Sequence, residues 1–145
     1  TMAFRYTHEP EFLDAAIKSA NWFIDHLPAD NVPYWDFLSP NIPNDEKDVS
    51  AAAIAGSALL ELKDYMTDLN LKSKYQQIAL KILSALCSSS YLAEGTKSFG
   101  ILNHAVGNHP KDSEIDVSLI YADYYFLEAL SRFTGTKSKL GDVIK

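Results

Sequence analysis

The chain has 145 residues, 47% of them hydrophobic and 22% charged, which is ordinary globular usage and excludes a disordered chain. Thirteen basic residues against nineteen acidic ones leave a net charge of −6, which argues against nucleic acid as a partner, because that needs a Lys/Arg surface. No apolar run approaches a membrane span; the longest is broken at Gly56, Ser57 and Glu61. The length suits one domain, or one piece of a larger one. Cys87 is the single cysteine, so no intrachain disulfide and no cysteine-based metal site is available. Its apolar neighbours Ile82, Leu83 and Leu86 predict a buried, inert thiol.

The opening Thr1 to Thr7 lacks the basic and apolar regions of a signal peptide and reads as the end of a helix. His8-Glu9-Pro10 breaks it, because the residue before proline is pushed out of the helical region. Pro10 suits the first turn of the next helix, where Phe12, Leu13, Ala16, Ile17, Ala20, Phe23, Ile24 and Leu27 recur at helical spacing as far as Pro28. From Asn31 to Lys47 three prolines (Pro33, Pro40 and Pro43) forbid helix, and the cluster Tyr34-Trp35-Asp36-Phe37 argues for an ordered loop. Asp48 or Ser50 then caps a helix that is apolar nearly all round, from Ala51 to Leu60, and therefore buried on most sides. A third helix follows Asn70. Tyr75, Ile78, Ala79, Ile82, Leu83 and Leu86 form its inner face, and Lys72, Lys74, Gln76, Gln77 and Lys81 its outer one. A second long loop runs from Gly95 to Ile115, after which Asp116 or Ser118 caps a mostly apolar fourth helix, Leu119 to Phe133. The polar tail from Thr134 to Lys145 is expected to fray.

Two features repeat. Asp48-Val49-Ser50 and Asp116-Val117-Ser118 are the same triplet, each placed ahead of an apolar helix, and their alignment pairs Leu59 with Leu127 and Leu62 with Leu130. Each apolar helix also follows a long loop, and each loop an amphipathic helix. A fixed period of helical hairpins is a repeat architecture, shared by α/α toroids and α-solenoids. Both long loops are then expected at one end, beside the N-termini of both inner helices, where a toroid places its site. The fold class predicted is all-α, with helical hairpins forming part of an α/α barrel.

Long motifs carry a family resemblance. Pro33-Tyr34-Trp35-Asp36-Phe37, Pro40-Asn41-Ile42-Pro43 and Asp48-Val49-Ser50-Ala51-Ala52-Ala53-Ile54-Ala55 resemble the unsaturated glucuronyl hydrolases, glycoside hydrolase family 88. So do Gly100-Ile101-Leu102-Asn103-His104 and the run from Asp116 to Leu130, with Ala122 where the family usually has glycine. The resemblance covers nearly the whole chain but only the C-terminal portion of a family member. It implies a six-hairpin (α/α)6 barrel. It implies hydration of the C4=C5 double bond of a terminal 4-deoxy-hex-4-enuronate on oligosaccharides made by polysaccharide lyases. An aspartate protonates the vinyl ether and activates water, after which the ring opens and the glycosidic bond falls apart. The family's two functional aspartates lie in segments that do not occur here, so no catalytic residue is assigned to this chain, and alone it is expected to be inactive. Related unsaturated rhamnogalacturonyl hydrolases are an alternative source of the resemblance, as is a non-catalytic helical-hairpin module.

The candidate substrate-binding residues are Trp35, Asp36, His104, Asn108 and His109. An indole face stacks on a sugar ring and an aspartate holds hydroxyls, although Trp35 could equally pack under its loop and Asp36 cap a turn. His104, Asn108 and His109 lie in the loop that contacts substrate in the family. Members that favour sulfated sugars carry Ser-x-x-Ser-x-Lys there; this chain has Asn108, Lys111 and Ser113, so the pattern is broken. Asp123, between Tyr121 and Tyr124, is expected to be buried against a tyrosine or an arginine, Arg5 or Arg132. No metal site is predicted, since His104 and His109 do not share a helical face, and no cofactor is implied. The expected partner is an unsaturated oligosaccharide bound by the full-length protein, with self-association through an open barrel edge. The sequence does not specify a compartment.

Overall fold

The computed structural model describes residues 1–135; most of the expected tail lies outside the described residues. Five α-helices follow in order: α1 Met2–Thr7, α2 Pro10–Asp25, α3 Val49–Leu62, α4 Leu69–Leu86 and α5 Ile120–Thr134. Short 3-10 turns occur at Lys63–Tyr65 and His109–Lys111. Among the described residues there is no strand, only isolated bridges such as Ala105 with Val117. No described helix is long and apolar enough to cross a membrane.

The proline and glycine punctuation acts as the sequence predicts. His8 closes α1 in the left-handed region, its N–H donating to the Phe4 carbonyl, and Pro10 opens α2. α2 has no fully buried residue, but Leu13, Ile17, Phe23 and Ile24 lean against the core, as an outer helix requires. α3 is the central element, burying Val49, Ala52, Ala53, Leu59, Leu60 and Leu62. Gly56 lets α4 approach closely: a Cβ there would touch Ile82 Cγ2 at 3.4 Å. α4 buries Tyr75, Ala79, Ile82, Leu83 and Leu86 on one face and exposes Lys74, Gln76, Gln77 and Lys81 on the other.

α3 and α5 run parallel. Ser57 donates to Glu128, and Arg132 donates to Glu61 at 2.5 Å, so ascending positions on α3 meet ascending positions on α5, both pairs being 71 residues apart. The same offset separates the N-caps Asp48 and Leu119. The repeated triplet is therefore out of register with the helices by three residues. Asp48 caps α3 through its carboxylate, whereas Asp116 precedes the start of α5 and neither it nor Ser118 caps it. Leu59 is buried while Leu127, its partner in the triplet alignment, is half exposed.

α5 departs further from the expectation of a mostly apolar inner helix. It buries only Ala122, Phe126 and Ala129, and Ile120, Tyr124 and Leu127 face outward at 86%, 60% and 51% exposure. Cys87 ends α4 and is exposed, because the chain turns outward there, so the thiol is not buried. Asp123 uses neither tyrosine nor arginine; its carboxylate accepts from the amides of Ile101 and Leu102, both at 3.0 Å, and so pins the second loop to α5. Arg5 and Arg132 instead converge on Glu61, whose side chain is 12% exposed.

Candidate functional site

Both long loops leave the same end of the hairpins, as the repeat predicts. Asp48 joins them. Its Oδ1 accepts from the Ser50 amide at 2.9 Å and the Ser50 hydroxyl at 2.6 Å, which caps α3, and from the Val106 amide of the second loop at 3.3 Å. The Asp48 N–H donates to the Pro33 carbonyl in the first loop, and the Val49 N–H donates to the His104 carbonyl in the second. The Asp48 carboxylate thus ties the second loop to the start of α3, and the backbone N–H groups of Asp48 and Val49 hold one loop each.

Two aromatic and imidazole contacts sit above this junction. The rings of Trp35 and His109 stack with centroids 4.0 Å apart and planes within 4°. His109 Nε2 meets Glu46 Oε2 at 3.3 Å. His104 Nδ1 lies 2.5 Å from Asp116 Oδ1, with the Tyr91 ring edge-on to the imidazole. His104 and Asp116 both hold positive φ, 69° and 55°, which is costly for residues with a Cβ and persists only where the surroundings impose it.

Beside these contacts lies a cavity of about 350 Å³, walled by Asn44, Asp45, Glu46 and Lys47 from the first loop and Tyr91, His104 and Asp116 from the second. Its charges are arranged in pairs. The Lys47 ammonium bonds Asp30 and the Val32 carbonyl, each at 3.0 Å, and sits 3.9 Å from the centre of the Tyr34 ring. Burial opposes ionisation of Asp30, but the Lys47 hydrogen bond and charge outweigh it and hold the carboxyl below its ordinary value. Burial, and then the charge of Asp30, push the Tyr91 phenol up; its hydroxyl donates to Asp30 at 3.0 Å. Asp45 is held at about 2, first by its hydrogen bond with Glu46 and next by the Ser39 hydroxyl. Asp30 and Asp45 are thus both held toward ionisation, opposite to the shift that a carboxylic general acid needs.

The five residues singled out in the sequence are distributed unevenly. Trp35 and His109 come together in the stack, and His104 lines the cavity. Asp36 turns inward along its own loop, its Oδ1 accepting from the Leu38 amide at 2.8 Å, which is a turn cap. Asn108 pairs backbone groups with Ser113 in a tight hairpin. The two histidines do not converge, each being bonded to a different carboxylate. Asp45, Glu46 and His109 do place ligand atoms within 4.8 Å of one another. Sequence reasoning missed Asp45, Glu46, Lys47, Tyr91 and Asp116 as walls of the cavity. The polar run Asn44-Asp45-Glu46-Lys47 just ahead of a buried helix was the available signal.

Comparison with known proteins decides what this mouth belongs to. No family model matches the chain. Over 135 residues it is 45% identical to the unsaturated glucuronyl hydrolase of Formosa agariphila, covering 91% of this chain and 33% of that protein. It is 29% identical to the unsaturated chondroitin disaccharide hydrolase of Streptococcus pyogenes serotype M1, again over 91% of this chain and 33% of the relative. The crystal structure of an unsaturated glucuronyl hydrolase specific for heparin superposes with a TM-score of 0.86 at 41% identity, over 94% of this chain and 37% of that one. A mutant of the Streptococcus agalactiae unsaturated glucuronyl hydrolase, complexed with dGlcA-GalNAc6S, superposes at 0.81 with 27% identity, over 90% and 35%. In sequence and in fold, the chain matches part of an unsaturated glucuronyl hydrolase. It spans about a third of the length of the curated relatives. Its hairpins accordingly form part of the (α/α)6 barrel of the unsaturated glucuronyl hydrolases, with α3 and α5 as neighbouring inner helices and the two loops at one mouth.

Proposed function

We propose that this chain is the C-terminal part of an unsaturated glucuronyl hydrolase, supplying one wall and two mouth loops of the substrate pocket. The observation that carries the reading is the 45% identity to a relative of that activity over 135 residues. The reaction releases a 4-deoxy-hex-4-enuronate from a lyase-made oligosaccharide. Water adds across C4=C5, the proton going to C4 and the hydroxyl to C5; the hemiketal opens and the aglycone leaves. The aspartate that moves the proton belongs to the remaining part of the barrel. This chain contributes binding: the flat Trp35–His109 face stacks on a sugar ring, and His104, fixed by Asp116, presents its free ring edge to a hydroxyl. Asp36 and Asn108, the sequence neighbours of Trp35 and His109, complete the proposed set.

The polypeptide at its native length is the material for the test. An intact mass two to three times that of this chain, together with loss of the double bond's ultraviolet absorbance on an unsaturated disaccharide, is expected. A native mass equal to this chain's, with no turnover, refutes the reading. A second reading, a helical module that associates through an open flank, draws on the outward apolar face of α5.

A further inference from the structure

We infer that Asp45, Glu46 and His109 form a binding site for a divalent transition-metal ion of the Zn2+ type, which clasps the first long loop to the second. The inference goes beyond the function proposed above and does not rest on it: the ion is structural, and it fastens the loops whatever the mouth accepts.

The backbone brings the three donors together. Within the first loop Tyr34 bridges to Lys47, and the Trp35 N–H donates to the Glu46 carbonyl at 3.0 Å. The loop therefore doubles back and sets Asp45 and Glu46 beside Trp35. In the second loop, a hairpin closed between Asn108 and Ser113 carries His109 at the start of its 3-10 turn. One nitrogen of His109 and one oxygen from each carboxylate then lie within 4.8 Å of one another, on half-buried side chains. Donors around one zinc ion, each bound at about 2.0–2.2 Å, stand roughly 3.3 Å apart. Glu46 Oε2 and His109 Nε2 already meet that separation at 3.3 Å, so only a small turn of the Asp45 carboxylate is needed to close the set.

One imidazole nitrogen and two carboxylate oxygens suit first-row divalent ions and leave further positions for water. Charge favours a cation there. Among the described residues no lysine or arginine pairs with Asp45 or Glu46; Lys47 is turned to Asp30 at 3.0 Å, and the partner of Glu46 is His109, which carries charge only when protonated. The surroundings also hold the donors in place, as the groups behind metal ligands do. The Trp35 ring stacks on His109 at 4.0 Å with planes within 4°, fixing the imidazole while leaving its Nε2 edge directed at Glu46. Asp45 accepts from the Ser39 hydroxyl and, at 2.9 Å, from the Glu46 amide. A separate observation comes from the Trp35 indole N–H. It is buried beside Asp45 without completing a hydrogen bond. A carboxylate that holds an ion with one oxygen can accept this N–H on the other. Ligation through the ring edge leaves the Trp35–His109 faces free.

The test is calorimetric titration of Zn2+ into the untagged polypeptide at its native length, after EDTA treatment and dialysis. A saturable phase is expected that is lost in His109→Gln and in Asp45→Asn. Trp35→Phe, which keeps an aromatic face and removes the N–H, should weaken it roughly tenfold. A second measurement needs no variant. Zn2+ should shield His109, but not His104, from modification by diethyl pyrocarbonate in the parent protein, as peptide masses would show. Absence of a saturable phase, a phase equally tight in His109→Gln and Asp45→Asn, or unchanged modification of His109 each overturns the inference and leaves the hydrolase reading in place.

Discussion

Replacing Asp48 by alanine is the substitution with the widest consequences, because one carboxylate oxygen serves α3 and the second loop together. Asp48→Ala removes the N-cap of α3, worth about 1 kcal/mol. It also orphans the Ser50 hydroxyl and the Val106 amide in buried surroundings, at about 1 kcal/mol each. The expected loss is therefore about 3 kcal/mol, read as a lower midpoint in urea denaturation followed by circular dichroism. Asp48→Asn keeps a carbonyl oxygen in place of Oδ1 and should lose only about 1 kcal/mol, the charge-assisted part of the bonds. In the polypeptide at native length, the alanine variant should also lose activity beyond its loss of stability, since Val106 lies two residues from His104. If Asp48→Ala unfolds within about 0.5 kcal/mol of the parent, the carboxylate does not tie the second loop to α3 and the reasoning fails.

Three further outcomes follow from other parts of the molecule. Arg132 and Arg5 share the buried Glu61, so Arg132→Met leaves that carboxylate half-compensated and should cost roughly 2–3 kcal/mol, as urea denaturation of the variant beside the parent would show. Asp45 has its folded-state carboxyl depressed to about 2 from 3.8, so its stabilising contribution is complete above pH 3.8 and disappears as the pH falls toward about 2. Carboxyl-carbon NMR should report that titration, and Asp45→Asn should flatten the acid limb of the stability curve; a midpoint near 3.8 would refute the Glu46 and Ser39 contacts. The outward face of α5 should make the isolated 145-residue chain associate with rising concentration in sedimentation velocity, with Leu127→Glu reducing the effect; a monomer at every concentration would refute this.

Helix boundaries and outer faces were legible because they rest on local physics. Pro10 starts α2, three prolines exclude helix between Asn31 and Lys47, and the Lys/Gln stripe of α4 marks its wet side. The shared end of the two loops followed from hairpin order alone, without any contact being known. The repeated Asp-Val-Ser triplet misled in detail. Its chemistry suits a cap in both copies, but Asp116 is drawn out of the helix by His104 and adopts a left-handed turn, so α5 begins four residues later.

The sequence by itself determined an acidic, all-helical hairpin array and the two segments that would carry any site, because periodicity, proline geometry and charge act over a few residues. Tertiary structure alone decided the rest. It set the 71-residue register of α3 on α5, which depends on Ser57 and Glu61 finding partners a helix away. It chose amide partners for Asp123 over the tyrosines beside it, and it left Cys87 outside. It placed Trp35 on His109 and closed the polar run Asn44 to Lys47 into a cavity with the distant Tyr91, His104 and Asp116. Such pairings are settled by which loop backbone reaches which side chain once the helices have packed, and no local propensity encodes that distance.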